Sequence, residues 1–259
     1  MRMRPNARPP APRAEPATRR FVLQELVLWA SVYPLYLAIR GWSIADPQQA
    51  LIDASRVISW ERSLDLFHEE SLQALLEPFE GFFSRYYMLG FGPVIASLLV
   101  WLALTRRELY GEFRTLLFVS LAIALVVYVA FPTAPPRLVP GLGIADTVGL
   151  SGHDTGSFAG VRFNPYAAMP SLHVGWSVLA ATIAFRASTR TWVRAVAVAH
   201  PVLMALAVTQ TGNHYLMDSL AGTLVALLAL AVVRLWSRPS SQRAPAARHA
   251  GARAHGHAA

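Results

Sequence analysis

Residues 215–236 read YLMDSLAGTLVALLALAVVRLW and are the clearest indication of the fold. The stretch is charged only at Asp218 and Arg234, and its length approaches the roughly 20 residues that a helix needs to cross a ~30 Å hydrocarbon core. Five further stretches are similar, which gives six predicted spans: Phe21–Ile39, Phe83–Leu104, Thr115–Phe131, Leu172–Ala187, Val193–Thr211 and Tyr215–Trp236. The predicted fold class is therefore all-α and integral to the membrane, a six-transmembrane-helix bundle.

The composition favours the same class. Of the 259 residues, 54% are hydrophobic and 15% are charged, and the mean hydropathy is +0.37, which is too apolar for an ordinary soluble domain. The chain contains no cysteine, so disulfides, thiolate catalysis and cysteine-ligated metals are excluded. We expect neither a metal nor a cofactor.

The net charge of +8 is concentrated at the two ends of the chain. Residues 1–20 carry a net charge of +5 and residues 238–259 carry +4, whereas the body at 21–237 carries −1. Both ends are rich in Pro, Ala and Arg and cannot bury enough apolar surface to fold, so we predict disordered tails around one membrane domain. Such tails suit an anionic lipid surface, and we prefer this interpretation to nucleic-acid binding.

The placement of arginine predicts an orientation in the membrane. With a cytoplasmic N-terminus, seventeen of the 23 arginines fall in cytoplasmic segments and six fall outside. The positive-inside rule then predicts a multi-pass plasma membrane protein with both termini in the cytoplasm. Arg137, His173 and His214 would all lie on the extracytoplasmic side.

Residues 43–81, between the first two predicted spans, form an amphipathic segment. Apolar side chains recur at near-helical spacing, and eight acidic residues from Asp46 to Glu80 lie among them. We predict one or two interfacial helices that cover the outer mouth of the bundle. For any individual residue here, an ordinary solvated face is the alternative.

Two short polar segments at the ends of apolar stretches indicate chemistry, because ionisable groups beside a bilayer are costly. The first is Pro170-Ser171-Leu172-His173, and the second runs from Asn213 to Asp218. His214 and Asp218 are four residues apart, so a helix would place them on one face, where the carboxylate would orient the imidazole and raise its basicity. Ser171 could hold an oxyanion at a helix start, or it could only cap the helix.

The third predicted span ends at a proline-rich stretch, Phe131 to Arg137. Three prolines in five residues cannot continue a helix, and the long aperiodic loop that follows, 138–169, is of a kind that is usually functional or mobile. Arg137 could neutralise the charge on a phosphoryl group, or it could be a side chain that extends to the interface.

These residues fit phosphoryl transfer with a covalent intermediate. His214 would attack phosphorus, Asp218 would stabilise the resulting imidazolium, and His173 would protonate the leaving oxygen. Arg137 would stabilise charge on the equatorial oxygens in the transition state.

The same segments resemble signature motifs of the type 2 phosphatidic acid phosphatase superfamily. Residues 170–173 and 214–218 look like its second and third motifs. Residues 131–137, together with Gly212-Asn213-His214-Tyr215, are similar to the inositol phosphorylceramide synthase branch and its bacterial relatives. The resemblance is expected to cover 80–236. It implies a metal-independent enzyme acting on a lipid phosphate or phosphodiester, with His214 as nucleophile, His173 as acid and Asp218 as the partner of His214.

Two phosphate-binding cations of the family pattern are missing from this chain. The phosphatases of the superfamily carry Lys-x6-Arg-Pro in the first motif, and here Leu138 follows Arg137. They carry Ser-Arg before the nucleophile, where this chain has Ala207 and Val208. The candidates to bind phosphate instead, beside Arg137 and Ser171, are Arg162, Asn164 and Asn213.

The other explanation is a substrate of lower charge, such as a phosphodiester. The sequence therefore favours inositolphosphotransferase-like transfer on a glycerolipid, a sphingolipid-like molecule or a polyprenyl phosphate, with a lipid phosphate monoester phosphatase as the alternative. Two hypotheses from other classes are a haem electron-transfer protein that uses His173 and His214 as axial ligands, and a non-catalytic transporter. The predicted partners are the lipid substrate and the membrane.

Overall fold

The computed structural model describes residues 16–42, 46–149, 157–158, 161–162 and 164–237. The helices in these ranges are α1 (Pro16–Trp42), α2 (Pro47–Ser63), α3 (Glu69–Leu76), α4 (Glu80–Gly90), α5 (Gly92–Thr105), α6 (Arg107–Ala130), α7 (Leu172–Ala187), α8 (Thr191–Gln210) and α9 (Leu216–Trp236). Short 3₁₀ turns occupy Glu77–Phe79 and Pro136–Leu138, and the two-residue strands β1 (Ser157–Phe158) and β2 (Val161–Arg162) pair antiparallel.

The predicted tails fall almost wholly outside the described residues. Of the tail at 1–20, residues 16–20 are described, and they belong to α1, so this helix begins before the predicted boundary at Phe21. The tail at 238–259 and residues 43–45 also lie outside the described part of the chain.

Several helices are long and apolar enough to cross a membrane. Within the described residues, four such stretches are found: Glu69–Thr105, Arg107–Ala130, Thr191–Gln210 and Leu216–Trp236. The shorter apolar helix α7 joins them in the bundle. Large apolar side chains face outward, with Leu104 81% exposed and Leu224 65% exposed, as a lipid-facing surface requires. The predicted all-α membrane class is confirmed, and the number of six spans stays a prediction.

The predicted second span is not one continuous helix. α4 ends at Gly90 and α5 begins at Gly92, and Phe91 between them has the non-helical angles φ −94° and ψ −82°. Pro93 lies in the first turn of α5, where its missing N–H leaves no hydrogen bond unmade. The break turns the Phe91 ring towards His173, at 4.3 Å between ring centroids.

The main apolar core lies among α5, α6, α7 and α9, and it includes Leu102, Phe113, Leu117, Leu179, Ile183 and Ala229. α1 packs against α6 through a polar cluster. Glu25 forms an ion pair with Arg114 and accepts a 2.7 Å hydrogen bond from the Tyr110 hydroxyl. Glu25, the acidic residue of the predicted first span, is therefore paired within the protein.

α7 and α9 cross in close contact at two glycines. A Cβ atom placed on Gly222 would lie 2.1 Å from the Ser171 carbonyl oxygen, and one on Gly175 would lie 2.7 Å from the Gly222 carbonyl oxygen. Small residues permit such close approach between membrane helices. At the same crossing the Ser171 N–H donates to the Asp218 carbonyl at 2.9 Å. The crossing therefore holds the start of α7 against the first turn of α9.

α2 and α3 lie within the predicted interfacial segment and cover one end of the bundle. Ala50, Ala54 and Val57 of α2 are fully buried and pack with Ala134 and Tyr215. The loops that join α6 to α7 and α8 to α9 reach the same end. The arginines of segments 105–114 and 186–194 lie at the opposite end, where α6 and α8 begin and Arg186 pairs with Glu112. The location of α2 and α3 at a membrane interface stays a prediction.

Candidate active site

His173 and His214 meet at the end of the bundle covered by α2 and α3. His173 is the second residue of α7, and His214 lies two residues before α9 begins. Their rings are 5.6 Å apart between centroids and pack edge to face. His214 is buried, whereas His173 is partly exposed. Two histidines that are distant in sequence are therefore brought together by the α7–α9 crossing.

Asp218 contacts His214, but His214 lies just before the helix that contains Asp218. The His214 Nδ1 atom lies 3.3 Å from Asp218 Oδ2, and the same oxygen accepts the Tyr215 N–H at 3.0 Å. His214 precedes the N-cap residue Tyr215, so the two side chains do not share a helical face as the spacing suggested. The fully buried Asp218 carboxylate lies in the first turn, where the helix dipole favours negative charge. Of the two ring nitrogens of His214, Nε2 is the one that Asp218 does not contact.

The turn that leads into His214 depends on Gly212. This residue has φ +65°, and a Cβ atom there would lie 2.8 Å from the Ala145 carbonyl oxygen. Its own carbonyl accepts the Arg137 N–H at 3.0 Å. The N–H groups of Asn213 and His214 both donate to the carbonyl of Val208, at 3.0 and 3.2 Å. The Val208 carbonyl therefore holds the turn before His214, at a position where the family pattern has a cationic side chain.

Arg137 is buried beside this turn, with 9% of its side chain exposed. It donates from NH1 to Asn213 Oδ1, and its Nε atom lies 3.4 Å from Asp146 Oδ2. Burial lowers the pKa of Arg137 below its usual value, and the Asp146 carboxylate opposes this change. The positive charge predicted to bind phosphate is thus already paired with a carboxylate.

The other predicted phosphate-binding residues have different surroundings. Asn213 positions Arg137 and also donates from Nδ2 to Thr211 Oγ1 at 2.9 Å. The buried Ser171 hydroxyl accepts the Val174 N–H at 3.5 Å and so caps α7, in agreement with the capping alternative. Arg162 lies in β2, and its side chain is outside the described part of the structure. Phosphate contacts by all three stay predictions.

Two aromatic residues near His173 were missed by the sequence analysis. The Tyr87 ring lies 4.8 Å from the His173 ring, and Phe91 lies on it at 4.3 Å. Tyr87 also interacts electrostatically with Arg137. The Gly-Phe-Gly-Pro pattern at 90–93 is a helix-breaking signal that could have identified Phe91. No local signal singles out Tyr87.

A loop beside Arg137 is held by Gln73 of α3. The Gln73 side chain donates to the Ala145 carbonyl at 2.9 Å and accepts the Ala145 N–H at 2.8 Å. It also donates to the Gln210 carbonyl at the end of α8, at 2.7 Å. These bonds place Asp146, the next residue in the loop, against Arg137.

Two buried glutamates, also missed, bind the first turn of α9. Glu61 accepts the Met217 N–H at 2.6 Å, and Glu69 accepts the Leu216 N–H at 2.9 Å. Burial, with the nearby charges of Glu69 and Asp218, raises the pKa of Glu61 to about 9. Both glutamates lie in the segment that the sequence indicated only as amphipathic.

Fold and site together define an α-helical membrane protein whose histidine-based site lies at one end of the bundle. A family model described as the PAP2 superfamily matches residues 55–232. The chain belongs to the PAP2 superfamily, which confirms the predicted superfamily and supports a membrane lipid phosphatase. The match begins before the predicted residue 80 and includes α2 from Ser55 onward.

Comparison with other proteins adds little to this assignment. No curated protein shows significant similarity to the chain. A crystal structure of LpxE from Aquifex aeolicus aligns with a TM-score of 0.48 and 16% identity, over 61% of this chain and 86% of that one. This structural similarity is too low to support any inference from that protein to this one.

Proposed function

We propose that this protein transfers or hydrolyses the phosphate or phosphodiester group of a lipid through a phosphohistidine on His214. The observation that carries the proposal is the placement of His214 between the Asp218 carboxylate and the His173 ring. Within this chemistry we favour inositolphosphotransferase-like transfer over monoester hydrolysis. The lipid is a glycerolipid, a sphingolipid-like molecule or a polyprenyl phosphate.

In the first half-reaction, His214 Nε2 attacks the phosphorus atom. The phosphorus–nitrogen bond forms as the phosphorus–oxygen bond to the leaving group breaks, and His173 donates its proton to the leaving oxygen. The Asp218 carboxylate faces Nδ1 and stabilises the positive charge that develops on the ring. Arg137 stabilises the charge on the transferred group.

In the second half-reaction, an acceptor hydroxyl attacks the phosphohistidine. His173, now neutral, takes the acceptor's proton, a new phosphorus–oxygen bond forms, and the phosphorus–nitrogen bond breaks to regenerate His214. With water as acceptor the reaction is hydrolysis, and with an alcohol it is transfer. The Tyr87 and Phe91 rings pack against His173 and fix the orientation from which it takes this proton.

The charge of the site supports a phosphodiester substrate. Arg137 is paired with Asp146, and the Asp218, Glu61 and Glu69 carboxyls are buried beside the His214 turn. Among the described residues and beside a protonated His173, a monoester dianion would meet one arginine that is already paired with a carboxylate, together with several acidic groups, whereas a diester carries a single negative charge. Repulsion between like charges in a buried site therefore disfavours the dianion.

The location of the site supports access from one membrane surface. Arg137, His173 and His214 lie at the opposite end of the bundle from segments 105–114 and 186–194, which contain six arginines. Under the positive-inside rule this end faces away from the cytoplasm, in the plasma membrane. The reaction uses residues of the chain alone and is metal-independent in this proposal.

A substrate panel tests the proposal. The purified protein in detergent is incubated with ³²P-labelled lipid phosphodiesters, including an inositol-containing one, and with monoesters, with and without a second lipid that bears a free hydroxyl as acceptor. We expect a labelled transfer product from the diesters that is lost in His214→Ala. Release of phosphate from monoesters, with no transfer from diesters, would support the phosphatase alternative. A Soret absorbance in the purified protein would instead support the haem hypothesis.

A further inference from the structure

Three carboxyl groups meet the first turn of α9. The N–H groups of Tyr215, Leu216 and Met217 donate in order to Asp218, Glu69 and Glu61. The first of these carboxyls belongs to α9 itself, whereas the other two come from α3 and α2. All three residues are fully buried. The turn that carries the partner of His214 is therefore held by acids from two other helices.

Three oxygen atoms in this cluster have no hydrogen-bond partner among the described residues. They are Glu61 Oε2, Glu69 Oε2 and Asp218 Oδ1, one on each carboxyl. The Glu69 carboxyl lies close enough to Glu61 to raise the pKa of Glu61, and Asp218 acts on Glu61 in the same direction. Ionised carboxylates with free lone pairs are costly to bury, and a proton between two of them removes that cost.

We propose that Glu61 and Glu69 share one proton and act as positioning residues that hold the first turn of α9, and with it Asp218 and His214, in the reactive geometry. The consequence for catalysis rests on the proposed function, whereas the shared proton does not. Each glutamate keeps one oxygen on a backbone N–H, and the proton joins the two remaining oxygens. This is a different role from that of Asp218, which contacts His214 directly.

The arrangement has a defined response to pH. The ionisable groups that face Glu61 are Glu69 from α3, Asp218 and Tyr215 from the α9 side, and His214 beyond Asp218. Loss of the shared proton would leave three carboxylates around one helix N-terminus, whose dipole is equivalent to only about half a positive charge. Their repulsion would loosen the turn and move His214 away from His173.

The sign of the effect on stability follows from the ionisation of Glu61. Its pKa rises from 4.5 to about 9 on folding, so the folded protein retains a proton that the unfolded chain loses across this range. Stability is then highest at the acidic end, falls as the pH rises from about 4.5 to about 9, and is constant beyond that. The alkaline limb of the rate profile would fall near the same upper value.

Glu61→Gln tests the inference because its amide can replace the shared proton. The glutamine oxygen can still accept the Met217 N–H, and its NH₂ group can donate to Glu69 at every pH. Glu77→Gln is the matched control, since Glu77 is exposed on the same segment. The thermal midpoint in detergent and the His214-dependent rate on a labelled lipid phosphodiester are measured from pH 5 to 10, a window that ends about one pH unit above the upper value of about 9.

We expect the wild type and Glu77→Gln to lose stability across this range and Glu61→Gln to lose clearly less. The alkaline limb of the rate should move up by on the order of one pH unit or disappear in Glu61→Gln. Unchanged profiles, or a rate reduced equally at every pH, would overturn the inference. If the wild type turned over no lipid phosphate while the stability curve still flattened, the proposed function would fail and the shared proton would stand.

Discussion

Replacement of Gly222 by alanine should move α7 away from α9 and so increase the distance between His173 and His214. The new Cβ atom would lie 2.1 Å from the Ser171 carbonyl oxygen and 2.9 Å from its carbonyl carbon, and both are backbone atoms that no rotamer change can move. Reaching even 3.0 Å requires a shift of about 1 Å between α7 and α9. A shift of that size at a catalytic centre reduces the rate by about 10²-fold, and overpacking costs about 1–3 kcal/mol of stability.

The assay is the initial rate on a labelled lipid phosphodiester, measured beside the thermal midpoint of each variant. Gly111→Ala is the control, because a Cβ atom on this α6 residue meets nothing within 4 Å. We expect that control to keep the wild-type rate and to be as stable or slightly more stable. A Gly222→Ala protein with the wild-type rate would refute the argument that the α7–α9 crossing sets the distance between His173 and His214.

Three further substitutions probe the charges of the site. Asp218→Asn should reduce the rate by at least about 10²-fold, because Nδ1 of His214 loses the carboxylate that orients it; single-turnover rates measure this, and a normal rate would contradict the assigned role. Arg137→Ala should reduce kcat by about 10³-fold, with partial recovery in Arg137→Lys, and steady-state kinetics distinguish this from a change in KM alone. Asp146→Asn should free Arg137 and raise the ratio of monoester to diester turnover by about tenfold; an unchanged ratio would show that Asp146 does not limit substrate charge.

Sequence patterns predicted most helix positions because lipid imposes a simple requirement on them. The predicted bounds Leu172–Ala187 coincide with α7, and the ends of α8 and α9 differ from prediction by at most two residues. The predicted start of the third span at Thr115 is wrong, because α6 begins eight residues earlier at Arg107. A long apolar run in a membrane protein must be helical to satisfy its backbone, so composition and length decide these elements. The break at Phe91 was missed because the surrounding stretch is apolar on both sides and was judged by its length, although the Gly-Phe-Gly-Pro pattern at 90–93 indicates the break.

The histidines and Asp218 were found because they are polar residues at positions where lipid makes polarity costly. Glu61 and Glu69 were not found, because acids in a segment of mixed polarity are ordinary on a solvated face. Their role depends on the packing of α2 and α3 against α9, which brings residues far apart in sequence to one helix terminus. No local pattern encodes that contact.

The ion pair between Arg137 and Asp146 could not be predicted from the sequence either. A proline-rich stop followed by arginine suggested a phosphate contact, but Asp146 lies in a loop with no periodicity. The contact depends on Gln73 of α3, which binds Ala145 through both its side-chain oxygen and nitrogen. The net charge of the site therefore depends on contacts between residues that are far apart in the sequence. This charge bears most on which substrate the site can bind.

The most direct test of the account is to trap phosphate on His214. The purified protein is mixed with a lipid labelled in its phosphate group, quenched in alkali within the first turnover, digested, and sequenced by mass spectrometry with phosphohistidine-preserving conditions. The account predicts an acid-labile phosphate on His214 that increases in His173→Ala when an activated leaving group is used, and that is absent in His214→Ala. Turnover of the lipid with label on another residue, or with no labelled protein at any time, would contradict it.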